Sequence, residues 1–267
     1  MRERFGMTDK VKALVLTYDK QIGLAQLLVK KYVELGLAEL FEFVVPINSA
    51  SAKFHIEHAQ ITFVNCDLDI LSTMKALLEQ TNDEEWVYWA IDDRYPVKVK
   101  LEEFLSIHEA ILKGEIQANG VKLLPWREPC TDEKSKLEQV TLVKQKPYSM
   151  FGFWHHHYVK SKVLRAMFIQ ENPDGLNNIR RINNLHRDKN YLSFLEEVWV
   201  SEKPLIELAE PLFDSKLTKN GLNDLRKYHC EVPSYPVIDD SLAFYDCDEQ
   251  LKLFPKKPKF VDENYFE

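Results

Sequence analysis

The stretch Trp86–Pro96 reads WVYWAIDDRYP and indicates the fold class of this chain. Its first part is a run of aromatic and aliphatic residues rich in β-formers, which is typical of a buried strand, and Pro96 is expected to end it. Strands that are buried on both faces belong to sheets covered by helices, and ligands bind such open sheets beyond the carboxyl ends of the strands. Asp92 and Asp93 therefore stand where a ligand is expected.

Two adjacent carboxylates follow this strand, and they repel each other unless a cation lies between or beside them. A divalent metal that carries phosphates suits them best, and Arg94 adds a fork-shaped group that binds anions. The alternative is a surface turn with two solvated acids. We favour a ligand site because a buried strand would aim both acids at the same place.

The composition predicts one large α/β domain or two small ones. The chain has 267 residues, of which 45% are hydrophobic, so a sizeable core can be buried. The net charge of −7 argues against general nucleic-acid binding, which requires a basic surface. The four cysteines are widely spaced and form no CxxC pair, so they indicate neither a zinc site nor a dense disulfide framework.

The amino-terminal segment MRERFGMTDK contains no hydrophobic signal region, and the sequence has no apolar stretch long enough to span a bilayer. We therefore expect a cytoplasmic protein with reduced thiols. Peripheral association with the inner face of the membrane is compatible with this expectation.

Strand and helix signals alternate before and after the opening stretch. The predicted strands cover 11–17, 41–45, 61–64 and 121–125, and the predicted helices cover 21–35, 70–78, 99–112 and 159–168. The order strand, helix, strand predicts a right-handed parallel βαβ unit. Residues 127–142 are polar and predict a loop or a short edge hairpin, whereas the proline-rich tail is expected to be extended.

Three segments together resemble a known family. VLTYDK places Thr17, Tyr18 and Asp19 at the end of the first strand, and AIDDRYP carries the double acid. The third segment, FGFWHHHYVKSKVLRAMF, is rich in aromatic residues and leads into a helix. In this combination the chain resembles nucleotide-sugar glycosyltransferases of the GT-A fold, in particular the bacterial polysaccharide-type transferases. The resemblance covers roughly the first two thirds of the chain.

The resemblance implies an α/β, GT-A-like fold with a mostly parallel central sheet flanked by helices. Residues 1–120 would form a Rossmann-like half that binds the nucleotide sugar, residues 121–230 a mixed acceptor-side half, and residues 231–267 an extended tail of the same domain. The implied reaction moves a sugar from a nucleotide-sugar donor to a hydroxyl of a glycan, polysaccharide or lipid-linked acceptor, in surface polysaccharide biosynthesis. No nucleic acid is expected as a partner.

The resemblance also implies roles for particular side chains. The donor would be contacted by residues at the ends of the first strand and the acidic strand and by one aromatic platform: Thr17, Tyr18, Asp19, Asp92, Asp93, Arg94 and Trp154. A Mn²⁺ or Mg²⁺ ion would be bound by Asp93, with His155 and His157 as further candidates. His155 and His157 share one face of an extended strand and His156 takes the other, so at least one histidine is expected to be merely packed.

A carboxylate base within hydrogen-bond reach of the acceptor would be needed for inversion at the sugar. Glu196, Glu197 and Glu171 are the candidates, and their chain positions do not rank them. Two other functions stay open. One is a metal-dependent phosphoesterase that uses the acids and histidines as a two-metal site, and the other is a non-catalytic carbohydrate-binding module on the same fold.

Overall fold

The computed structural model describes part of the chain in detail. The described residues are 10–125, 130–145, 155–170, 172, 175–179, 181–182, 197–209, 212–213, 216–228 and 237–238. Within them the strands form a nine-stranded sheet, a two-stranded sheet and a three-stranded sheet. None of the helices in these ranges combines the length and the apolar character that crossing a bilayer requires.

The first half alternates strands and helices around a parallel sheet. Its elements are β1 (Val11–Leu16), α1 (Ile22–Glu34), β2 (Phe41–Ile47), β3 (Gln60–Asn65), α2 (Ile70–Leu78), β4 (Trp86–Ile91), β5 (Tyr95–Val99) and α3 (Leu101–Leu112). Four of these strands lie side by side in the order β3-β2-β1-β4, and each pair is parallel. The predicted parallel βαβ arrangement is therefore confirmed.

The second half adds antiparallel strands to the same sheet. Its elements are β6 (Gly120–Lys122), β7 (Cys130–Lys136), β8 (Thr141–Gln145), β9 (His157–Lys160), α4 (Ser161–Arg165), β10 (Val198–Ser201), β11 (Ile206–Ala209), β12 (Leu212–Phe213), β13 (Lys216–Thr218), α5 (Lys219–Lys227) and β14 (Val237–Ile238). β9 is antiparallel to both β4 and β6, and β10 is parallel to β6. β7 and β8 form an antiparallel hairpin at the sheet edge, as predicted.

Both faces of the large sheet are covered by helices. Residues of β4 alternate between two core clusters: Tyr88 packs with Tyr32 of α1 and Phe104 of α3, whereas Trp89 packs with Met74 of α2 on the other face. This alternation is that of a strand buried on both sides, which the apolar run in β4 predicts. The fold class is therefore the expected one, an α/β structure with a mixed but largely parallel sheet.

Helix α2 begins where its sequence predicts. The Asp69 side chain accepts a hydrogen bond from the backbone N–H of Ser72 at 2.9 Å, so it caps the free amino end of the helix. Among the predicted element boundaries that differ from the structure, three have a clear physical reason.

The first wrong boundary is the end of β2, which was expected before Pro46. The strand continues through Pro46 to Ile47 in register with β3, although its pairing with β1 ends at Val44. Because Pro46 lies beyond that pairing, its missing N–H removes no hydrogen bond to β1.

The other two wrong boundaries flank the acidic turn and the histidines. Pro96 does not end the extended structure but lies in β5, which pairs with β11 in a separate two-stranded sheet, so the following helix begins only at Leu101. The predicted helix over 159–168 begins instead at Ser161, because residues 157–160 extend along β4 and β6 as strand β9. Pairing with neighbouring strands outweighs local helical periodicity there.

Candidate functional site

The acidic turn after β4 lies at the carboxyl-end edge of the parallel strands. The backbone N–H of Asp92 donates to the carbonyl oxygen of Leu16 at 3.3 Å, and the N–H of Arg94 donates to that of Ile91 at 3.2 Å. The first bond ties the turn to the end of β1, where Thr17 is only 4% exposed. Thr17 therefore lies next to Asp92 at this edge of the sheet.

Both acids of the turn are held in a desolvated environment. Asp92 is 4% exposed, and its Oδ2 atom and the Oδ1 atom of Asp93 are buried without a hydrogen bond within the described residues. Burial raises the pKa of Asp92, the Asp93 carboxylate raises it further, and the Thr17 hydroxyl lowers it. Burial also raises the pKa of Asp93, against the lowering effect of Arg94. Two unsatisfied carboxylate oxygens at one edge are suited to a cation.

Arg94 places a half-buried positive charge beside these carboxylates. Burial lowers the pKa of its guanidinium to about 10, while Asp93 acts in the opposite direction. The side chain consequently stays charged at neutral pH. A guanidinium in this position offers the planar, bidentate donor geometry that suits carboxylates and phosphates.

The antiparallel direction of β9 brings the histidines to the same edge. His157 pairs with Trp89, so the residues before it run past the carboxyl end of β4. Burial lowers the pKa of His155, and the charges of Arg94 and Lys122 lower it further. Burial also lowers the pKa of His157, to about 3. The influence of the Arg94 charge on His155 indicates that the two side chains lie near each other, and burial favours the neutral form of both imidazoles.

His156 faces the opposite side of the strand and is packed in the core. Its Nδ1 atom lies 2.8 Å from the Tyr32 hydroxyl, and its Nε2 atom lies 3.2 Å from the backbone nitrogen of Ile91. Burial lowers its pKa to about 3. This is the packed histidine that the alternation of the three predicts.

Sequence reasoning missed Lys122 as a site residue. It is the last residue of β6, is 6% exposed, and pairs with His157 on β9. Because β6 runs parallel to β4, Lys122 lies at the same sheet edge as Asp92. The available signal was a lysine inside the apolar segment VKLL, since a lysine is almost never fully buried without a partner or a function.

Asp19 joins the ends of neighbouring strands. Its Oδ1 atom accepts a hydrogen bond from the backbone N–H of Asn48 at 2.6 Å, and its Oδ2 atom accepts one from the Ser49 hydroxyl at 2.7 Å. The Asn48 side chain in turn donates to the carbonyl oxygen of Cys66 at 3.0 Å. Asp19 therefore holds the loops after β1, β2 and β3 together, and contacts of Tyr18 and Asp19 with a nucleotide stay predictions.

Glu197, the candidate base that falls within the described residues, is not brought to this edge. Glu197 is exposed, and its carbonyl oxygen accepts a hydrogen bond from the backbone N–H of Asn119 at 2.8 Å. It directly precedes β10, whose first residue aligns with Gly120, at the amino ends of the parallel strands. The geometry therefore does not support Glu197 as the base. Glu196, Glu171 and Trp154 lie outside the described residues and stay predictions.

A metal ion was also expected at the acidic turn. Across the described ranges, no three His, Cys, Asp or Glu side chains are arranged as a ligand set. Mg²⁺ is, however, commonly bound by one or two carboxylates together with substrate phosphates. The buried, unpartnered oxygens of Asp92 and Asp93 fit that mode, whereas His155 and His157 as ligands stay predictions.

Comparison with known proteins finds likenesses of structure only. No family model matches the sequence, and no curated protein matches it. Among solved structures, S. aureus TarS residues 1–349 match with a TM-score of 0.45 and 14% identity over 74% of this chain and 60% of that one. The same TarS fragment in complex with UDP-GlcNAc matches with a TM-score of 0.44 and 11% identity over 93% of this chain and 76% of that one.

A nucleotidyltransferase is similar to the same extent. The 2-C-methyl-D-erythritol 4-phosphate cytidylyltransferase of Francisella tularensis matches with a TM-score of 0.44 and 10% identity, over 82% of this chain and 100% of that one. The first TarS match spans 60% of its fragment, and a match to a longer TarS chain spans 36%, less than two thirds in both cases.

Proposed function

We propose that this protein is a nucleotide-sugar-dependent glycosyltransferase that moves a sugar to a hydroxyl of a glycan, polysaccharide or lipid-linked acceptor in surface polysaccharide assembly. The observation that carries the proposal is the pair of carboxylates, Asp92 buried and Asp93 half-buried, at the carboxyl end of a central parallel strand. Each has a buried oxygen without a hydrogen bond there, next to the positive charge of Arg94. Opposite charges placed side by side in this way suit a cation and the diphosphate that it accompanies.

The donor would lie along the edge formed by the ends of β1, β4 and β6. Arg94 and Lys122 are the positive charges that would meet the diphosphate, since Lys122 is the last residue of β6 and Arg94 lies in the turn that follows β4. Thr17 and Tyr18, which follow β1, would contact the base and the ribose. In open sheets of this type the ligand lies beyond the carboxyl ends of the strands.

A divalent ion, Mg²⁺ or Mn²⁺, would be held by Asp93 with Asp92 beside it, and when bound it would neutralise charge that develops on the leaving diphosphate. The protein's part is to keep two carboxylates desolvated and correctly placed before the ion arrives. The hydrogen bond from the Asp92 N–H to the Leu16 carbonyl oxygen and the bond that closes the turn at Arg94 do this. The base that accepts the acceptor's proton is proposed among Glu171 and Glu196.

A thermal-shift screen tests the proposal. Nucleoside diphosphates and nucleotide sugars that differ in the base are added to the wild-type protein with and without Mn²⁺. We expect one base to raise the melting temperature by about 5–10 °C at a ligand concentration about a hundred times Kd. The variant Asp93→Asn should lose this shift, because the carboxylate that attracts the ion is gone.

Asp83→Asn is the matched control for that variant. Asp83 precedes the amino end of β4 and pairs with Arg165 at 2.7 Å. Its substitution therefore removes an acid without touching the proposed site at the other end of the strand. The control should keep the full nucleotide-dependent shift.

Absence of a shift with every nucleotide would contradict the proposal. Metal-dependent hydrolysis of a generic phosphoester would favour a phosphoesterase, and sugar binding that is indifferent to Asp93→Asn would favour a carbohydrate-binding module.

A further inference from the structure

A buried hydrogen-bonded chain connects helix α1 to the last residue before the acids. The backbone nitrogen of Ile91 lies 3.2 Å from His156 Nε2, and His156 Nδ1 lies 2.8 Å from the Tyr32 hydroxyl. The Tyr32 hydroxyl donates in turn to the Tyr88 hydroxyl at 2.9 Å. The side chains of these three aromatic residues are fully buried. This chain of hydrogen bonds thus runs through the core and ends on the backbone of β4.

This hydrogen-bonded chain ends where the pairing of β4 with β9 stops. Pairing with β9 reaches only Trp89, which is opposite His157, whereas pairing with β1 continues to Ile91. The polar backbone groups of a buried strand must find partners wherever the ladder stops. On the β9 side, the His156 ring supplies a partner to Ile91, the residue directly before Asp92.

The direction of the hydrogen bonds is consistent along the chain. Because the Tyr32 hydroxyl donates to Tyr88, its oxygen is available to accept from His156 Nδ1–H, and Nε2 is then the acceptor for the Ile91 N–H. His156 Nε2 also lies 3.2 Å from the Ile91 carbonyl oxygen, the partner for the other tautomer. In either case the neutral ring contacts the end of β4, and burial, which lowers its pKa to about 3, keeps it neutral.

We propose that His156, held by Tyr32, is a positioning residue that fixes the carboxyl end of β4 and thereby the Asp92–Asp93 turn. The backbone of the turn is held by the bonds of Asp92 to Leu16 and of Arg94 to Ile91. Movement of Ile91 would disturb both bonds, because Asp92 follows Ile91 directly and Arg94 binds its carbonyl oxygen. The consequence for donor binding rests on the proposed function, but the effect on the turn does not.

Hydrogen exchange of the backbone amides of Ile91, Asp92 and Arg94 tests the proposal without any ligand. His156→Phe keeps an aromatic ring and removes both ring nitrogens. We expect exchange at these amides to become about tenfold faster, because an unmade buried hydrogen bond shifts local opening by roughly that factor. Should His156→Phe fail to fold, Tyr32→Phe removes only one hydroxyl and should give a smaller effect in the same direction.

His108→Phe is the matched control. His108 is fully buried in the same aromatic cluster, its pKa is lowered by burial to about 4, and its Nδ1 lies 2.9 Å from the Tyr158 hydroxyl. Its substitution removes a comparable hydrogen bond away from the acidic turn. A purely structural role for His156 would give the same exchange rates at the turn in both variants, which would overturn the proposal.

Coupling between Tyr32 and His156 gives a second readout. If the two residues act through one chain, Tyr32→Phe should have little further effect on the exchange of the turn amides once His156→Phe is present. Additive effects of the two substitutions would contradict the proposal that Tyr32 and His156 act through one hydrogen-bonded chain.

Nucleotide affinity then separates this proposal from the proposed function. With Mn²⁺ present, His156→Phe should weaken binding of the preferred nucleoside diphosphate about tenfold, and His108→Phe should leave the Kd close to the wild-type value. If the wild-type protein binds no nucleotide, the proposed function fails and the exchange data alone decide on His156. Faster exchange with an unchanged Kd would refute a role of His156 in donor binding.

Discussion

Replacing Asp92 by asparagine should make the ligand-free protein more stable at neutral pH. The Asp92 side chain is buried, its Oδ2 atom makes no hydrogen bond within the described residues, and the Asp93 carboxylate repels it. A buried polar group without a partner costs about 1–3 kcal/mol and more when it is charged, and asparagine keeps the polar atoms but removes the charge. Removing the charge while keeping the shape should therefore raise the free energy of unfolding by about 1–2 kcal/mol, which for a chain of this size corresponds to about 2–8 °C in melting temperature.

The pH dependence of this gain follows from the direction of the pKa shift. Burial and the Asp93 charge raise the pKa of Asp92 in the folded protein above its ordinary value of 3.8. Between these two pKa values the folded protein binds more protons than the unfolded chain, so the stability of the wild-type protein falls as the pH rises through that window. The asparagine variant lacks this contribution. Its advantage should be largest above the raised pKa and should disappear below about pH 4.

Urea denaturation of both proteins between pH 4 and 8 measures the effect, with the free energy of unfolding taken from the midpoint and slope. Asp83→Asn serves as the control, because this acid is exposed and ion-paired and should show no such gain. An Asp92→Asn variant that is less stable than the wild type at pH 7, or an advantage that grows on acidification, would refute the reasoning that the carboxylate is buried at a cost.

Two further predictions concern the scaffold beneath the site. Trp89→Ala should lower the free energy of unfolding by about 3–5 kcal/mol, because the fully buried indole packs against Phe168 and its loss leaves a cavity under the turn. A loss below about 1 kcal/mol in urea denaturation would mean that this face of β4 is not tightly packed. Asp69→Ala should cost about 1 kcal/mol by removing the cap on α2. Asp69→Asn, which can still accept from Ser72, should retain most of that stability in the same assay.

The central strand and its acidic end could be predicted from local sequence. An apolar run in β4 has to be buried on both faces, and the two acids that interrupt it have to lie at its end, so the position of Asp92 and Asp93 follows from the pattern alone. The neighbouring strands β1 and β2 could be predicted for the same reason, since hydrophobic runs separated by an amphipathic helix specify a parallel unit.

The histidines could not be placed in this way, because their roles depend on the register of β9. Pairing of His157 with Trp89 determines that His156 reaches the backbone of Ile91 and that His155 lies near Arg94. Register between strands distant in sequence is set by tertiary packing, and alternation along a strand could separate the faces of the three histidines but could not name their partners. Lys122 lies in the predicted strand over 121–125 but was missed because its pairing with His157 on β9 could not be predicted from the sequence.

The most direct measurement is a crystal structure of the wild-type protein with Mn²⁺ and the nucleotide sugar that gives the largest thermal shift. We predict that the ion lies about 2.0–2.3 Å from a carboxylate oxygen of Asp93, with the diphosphate between it and Arg94. Density for the nucleotide at another edge of the sheet, or at this edge without contact to Asp92, Asp93 or Arg94, would contradict a donor site at the acidic turn.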